Sequence, residues 1–164
     1  MYITSEEYNK MYDPVEEKLF ERLAFEACRV MDIHTSGVDG VKKLQLFFPN
    51  DEYDVAAVKH CAAKLVNTLL QLHNAEEAAS AGRGYVETEQ GLQRRVVSRI
   101  EAGNEAISFS DAKNTETAID AASADVSARD KLLRSVVLNG LRGVDDANGV
   151  RLLYMGAYPR RYLC

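Results

Sequence analysis

The chain has 164 residues and an acidic balance, 25 Asp and Glu against 20 Lys and Arg, so it lacks the basic field with which proteins neutralise phosphates, and sequence-specific nucleic-acid binding is not its expected task. Of its 76 hydrophobic residues 20 are Ala, but Leu, Ile, Val and Phe still total 41, enough for one domain. No apolar run approaches the roughly 18 residues of a membrane span, and the acidic start MYITSEEYNK is unlike a signal peptide, so a cytoplasmic protein is expected.

Thr4 and Glu7 have the spacing of a capping box, with Ile3 and Tyr8 at the staple positions around it, and predict a short helix from Ser5. Asp13-Pro14 offers a second start, an aspartate N-cap before a proline at the first helical position. Leu19, Phe20, Leu23, Ala27, Val30 and Met31 then form one apolar stripe, ending near Thr35 and Gly37. A link follows in which Leu44, Leu46, Phe47 and Phe48 are expected to be buried. Val55, Val58, Ala62, Leu65, Leu69 and Leu72 predict a long helix from Asp54 to Ala79. Cys61, Val66 and Leu70 widen its stripe beyond one face, which makes it the expected central helix.

The next third differs in composition. Between Asn74 and Asp130 only 9 of 57 residues are Leu, Ile, Val or Phe, and 11 acids against 6 bases give that stretch the net −5 of the whole chain. Arg83 to Gln93 is polar with no period, so residues 80–97 are expected as a long loop or arm. Residues 96–110 offer two β-prone runs around Ala102-Gly103-Asn104, the pattern of a small hairpin. Ser127 with Asp130 reads as the N-cap of a last helix through Leu132, Leu133, Val136, Val137 and Leu141. The tail after Val150 is apolar and aromatic, then basic. The expected fold is mainly α: a small helical bundle around a long central helix, with a short β-hairpin, an extended C-terminal tail, one domain over 1–158 and a terminal tail over 159–164.

Catalytic arrangements are not evident. His34, His60 and His73 have no metal-ligand spacing, and His34 in the last turn of its helix is expected to gain positive character from the helix dipole. Gly82-Arg83-Gly84 lacks the strand and helix of a phosphate loop and reads as a helix cap. Glu6-Glu7, Glu16-Glu17 and Asp145-Asp146 are explained by helix starts and loops. Cys28, Cys61 and Cys164 are odd in number without a CxxC spacing, so reduced structural thiols are expected. No cofactor, metal or catalytic residue is assigned. Arg94, Arg95 and Arg99, among Glu87, Glu89 and Glu101, suit a partner's acids or an inter-subunit pair better than DNA.

Two stretches call for partners. An isolated hairpin bearing Val96, Val97, Ile100, Ile107 and Phe109 is marginal in water, so these residues are candidates for subunit packing. Leu152, Leu153, Tyr154, Met155, Tyr158, Arg160 and Arg161 are rich in the types enriched at interfaces, although residues 150–156 could equally fold onto their own bundle. Beyond Pro159 a monomer's chain is expected to fray.

The order of YITSEEY, DPVEEKLFERLAFEACRVMDIHTSG, DVAAVKHCAAKLVNTLLQLHNAEE, RIEAGNEAISFS and the closing LLRSVVLNGL to VRLLYMGAY resembles the head-tail connector proteins of tailed phages, also called adaptor or head-completion proteins. The resemblance covers about residues 1–79, 98–110 and 128–158 and rests on order and pattern. It implies a non-enzymatic subunit of a ring, commonly of twelve, beneath the portal protein at the virion neck, made in the bacterial host cytoplasm. Such a ring extends the DNA channel, without sequence-specific binding or membrane contact, and presents a surface to the next neck or tail component. By position, residues 100–110 would pack subunits and residues 150–158 would dock the portal. Glu87, Glu89, Glu101, Glu105 and Asp111 are candidates for lumen-facing acids, since a like-charged wall does not hold DNA. A reading from another class is a helical regulatory or protein-binding module acting as monomer or dimer, with an enzyme of unrecognised type a remote third.

Overall fold

The structure, a computed structural model, describes residues 1–81, 85–88, 91–94, 96–101, 106–110 and 118–162, without side chains from 78 to 117 or at 120 and 160. Helix α1, Ser5–Asn9, opens with the expected capping box: Thr4 Oγ1 accepts from Glu7 N, and the Glu7 carboxylate accepts from Thr4 N. Ile3 and Tyr8 are buried beneath it. Helix α2, Glu17–Thr35, starts three residues later than Pro14, with Glu16 at the N-cap and no side-chain cap bond. Val15 packs against the core, which keeps residues 13–16 outside the helix. The stripe Phe20, Leu23, Ala24, Ala27 and Met31 is buried as its spacing requires.

Helix α3, Lys43–Leu46, is a single turn within the link. Leu44 is buried, but Leu46 is exposed, correcting the expectation that both are inside. Residues two apart on a helix differ by about 200° in direction, so they cannot share the inward face. Lys43 occupies the inner position instead.

Helix α4, Glu52–Ala81, has 30 residues. It starts two residues before Asp54 because the Asp51 carboxylate accepts from Tyr53 N and Asp54 N. Val58, Cys61, Ala62, Leu65, Val66, Leu69 and Leu72 are buried on more than one face. The helix packs against α2 and two later helices and is the centre of the bundle.

Beyond α4 the described backbone forms two antiparallel pairs, β1 (Tyr85–Thr88) with β2 (Gly91–Arg94) and β3 (Val96–Glu101) with β4 (Ala106–Ser110). The first pair falls in the stretch expected as a loop or arm. Side chains of all four strands lie outside the described residues, so the hairpin's part in packing is a matter of proposal.

Helix α5, Ala118–Ala124, arises in an Ala, Ser and Asp run whose sequence shows no stripe. Alanine has the highest helix propensity, and its small side chain hides the period. Helix α6, Val126–Gly140, is capped by Asp125, which accepts from Ser127 N and Ala128 N, so the cap lies two residues before the expected Ser127. Arg129 bridges Glu26 (3.3 Å) and Glu76 (2.8 Å) and so ties α2, α4 and α6 together. At the end of α6, a Cβ on Gly140 would lie 2.7 Å from Cys61 Sγ, and glycine is what lets α6 approach α4 there.

The described residues beyond α6 pack in part against the bundle. Leu141, Val144 and Leu152 join the core, and a 3-10 turn at Arg160–Tyr162 carries Tyr162 edge-on against Tyr158. This turn lies in the stretch after Pro159 that was expected to fray in a monomer. With six α-helices among the described residues, the protein is mainly helical.

Candidate docking surface

A buried lysine holds the C-terminal segment. Lys43 Nζ donates to the carbonyls of Arg151 (3.2 Å), Leu152 (2.9 Å) and Tyr154, which uses all three of its donors. Burial lowers the Lys43 pKa from the ordinary lysine value, while Asp146 and Asp39 act in the other direction.

Asp146 organises the same segment from its far side. One carboxylate oxygen accepts from Asn148 N and Val150 N, both at 2.9 Å, and the other accepts from the Tyr158 hydroxyl at 2.5 Å. Burial and the Asp146 carboxylate push the Tyr158 hydroxyl up to about 12. Its ring stacks on Phe47 at 4.7 Å and 5°. The turn after α2 completes the anchorage, because Tyr158 N donates to Asp39 and Val38 N to the Met155 carbonyl. A Cβ on Gly37 would lie 2.5 Å from the Gly156 carbonyl oxygen, so only glycine permits this approach. Residues 150–158 thus form a strap pinned at both ends and in the middle.

The strap divides the expected portal-docking residues. Leu152 and Tyr158 are buried in the core of the chain itself, with Lys43 and Asp146 holding the backbone around them, which is the own-bundle alternative left open for residues 150–156 in the case of Leu152. Leu153 is half-buried. Tyr154 and Met155 are 50% and 53% exposed, and Arg161 is exposed. The Arg160 side chain lies outside the described residues. Val38, joined to Met155 through the backbone, adds an exposed apolar residue that the sequence did not single out, because it sits alone in a turn and shows no period.

No family model, curated protein or solved structure matches the chain.

The other expected positions fall in the middle segment. Val97 is opposite Phe109 and Ile100 opposite Ile107 in the β3–β4 register, with Val96 opposite Ser110. Glu87 lies on β1 opposite Leu92, and Glu101 on β3 opposite Ala106. Glu89, Glu105 and Asp111 lie outside the described residues.

His34 carries a correction. Its pKa is lowered, not raised, by burial and by the nearby Arg134, which together outweigh Asp130. Cys28 and Cys61 are free, and burial pushes the Cys61 thiol up to about 12, so it packs as a small apolar group. Cys164 lies outside the described residues. Among the described residues no three His, Cys, Asp or Glu are grouped to hold a metal ion, and no helix is long and apolar enough to cross a membrane. What this face offers chemically is a rigid contact: exposed aromatic and thioether groups on a backbone fixed by charge-assisted bonds.

Proposed function

We propose that the chain is a structural subunit of a phage head-tail connector ring, and that the strap face is its surface for the portal protein. The observation that carries this reading is the pinned strap, which presents Tyr154, Met155 and Val38 to solvent in a preset arrangement. A preordered aromatic and Met surface loses little entropy on docking, the property a ring component needs for many equivalent contacts. The order of sequence segments that resembles connector proteins supports it as well. Twelve subunits is the number the resemblance implies, with the virion neck as the location and the next neck or tail component on the free face.

In this reading the β3–β4 hairpin packs against neighbouring subunits through Val96, Val97, Ile100, Ile107 and Phe109. Glu87, Glu89, Glu101, Glu105 and Asp111 line a channel through which DNA passes without being held. An assembled ring with these acids on its outer rim would remove the channel argument. The alternative, a helical binding module acting as monomer or dimer, draws support from the way the tail completes the subunit's own core. Size-exclusion chromatography of the chain mixed with its cognate portal protein separates the two. Co-elution at the mass of a portal-bound ring is expected, and absence of any portal complex overturns the connector reading.

A further inference from the structure

Among the described residues, the outer face of α2 is exposed over two turns. Phe25, Arg29 and Ile33 stand at intervals of four residues, one line along the helix, with Phe25 70% and Ile33 56% exposed. The line forms a ridge shared by two open grooves of about 1130 and 830 Å³, one towards α6 and one towards the N-terminus and α3. Val126, 75% exposed, adds an apolar residue to the α6 side.

The rim is basic in an acidic protein. The larger groove is lined by Arg22, Arg29, Arg129, Lys131 and Arg134 against Glu26, Asp125 and Asp130, five positive and three negative charges for a net of +2, whereas the chain carries −5. Arg129 is engaged by Glu26 and Glu76, but Arg22, Arg29, Lys131 and Arg134 form no salt bridge among the described residues. Exposed apolar groups ringed by basic side chains that form no salt bridge among the described residues suit an aromatic anchor flanked by acid.

Such a group is present on the same chain. Among the exposed large apolar residues, Tyr53, at 80%, is the one set among three acids, in Asp51-Glu52-Tyr53-Asp54 at the start of α4, where Asp51 caps the helix, Asp54 accepts from Asp145 N, and Glu52 stands exposed beside the ring. We propose that the α2 ridge and its basic grooves receive Tyr53 and its flanking acids from a second copy of this chain. A two-fold contact of the ridge with itself would set Arg29 and Arg134 against their own counterparts, so the charges favour a head-to-tail contact. Head-to-tail contacts are the kind that close into rings. The proposal rests on the ring reading for its occupant and adds a second face, besides the hairpin, through which neighbours meet.

The test uses the full chain, alone and on its cognate portal, by sedimentation velocity at rising concentration and salt. Phe25→Ala, Tyr53→Ala and Arg29→Glu each alter an exposed side chain, and each is expected to weaken self-association by roughly tenfold or more, the scale of a truncated interface anchor. Glu52→Arg combined with Arg29→Glu in one chain is expected to restore most of it, and the wild-type contact should weaken with salt. Rings that form on the portal equally well with all three single variants overturn this interface and leave the connector reading standing. A chain that neither associates nor binds the portal removes both. Association unaffected by these variants but abolished by removal of residues 96–110 would assign the contact to the hairpin and overturn the proposal.

Discussion

Burying a lysine costs several kcal/mol unless its charge and all its donors are satisfied, and Lys43 meets that condition through three strap carbonyls and the nearby Asp146. Lys43→Met keeps the volume but leaves those carbonyls without their donor. A loss of about 2–4 kcal/mol is expected, read as a fall in Tm of about 5–15 °C in thermal unfolding. An unchanged Tm would mean that the lysine does not hold the strap. Tyr158 supplies a pH signature. Its folded pKa, about 12, lies above the ordinary tyrosine value of 10.0, so its contribution is complete below pH 10 and is lost as pH rises through 12. Tyr2, raised by burial and Asp32, acts in the same direction. Chemical denaturation at pH 8 and pH 11 should show wild-type stability falling, with a smaller fall in Tyr158→Phe; equal falls would place the alkaline sensitivity elsewhere. None of this chemistry is legible in the sequence. Lys43 stands in an apolar link, and its acceptors lie more than 100 residues away.

At the scale of elements, the sequence announces what local chemistry determines. The Thr4 capping box is formed, and the apolar stripes of α2 and α4 are buried because spacings of three and four need no knowledge of the partner. Boundaries moved wherever a nearer acid or a packing contact competed: Asp51 advanced the start of α4, Asp125 that of α6, and Val15 delayed α2. α5 escaped notice because alanine carries propensity without pattern. The α4–α6 contact depends on one missing side chain. Gly140→Ala would ordinarily stabilise a helix, but its Cβ meets Cys61 Sγ at 2.7 Å, so overpacking of about 1–3 kcal/mol should prevail. Differential scanning calorimetry should find G140A less stable, and Cys61→Ala should recover part of the loss in the double variant. A stabilised G140A would show that the two helices can move apart without cost.

For the whole molecule, the candidate site was legible in type but not in membership. The tail was recognisable as an interface composition, yet two of its residues, Leu152 and Tyr158, serve the core, and Val38 comes from another part of the chain. The exposed α2 ridge escaped the sequence because Phe25 and Ile33 lie off the main stripe and look like ordinary variation until their faces are seen to be uncovered. In the proposed reading the strap and the ridge serve as separate contact surfaces, one for the portal and one for a second copy of the chain. The measurement that bears most directly on this account is native mass spectrometry of the full-length chain alone and with its cognate portal protein. The account predicts a closed ring of the chain, or a complex in which many copies sit on one portal. A chain that stays monomeric or dimeric and leaves the portal unbound would contradict it.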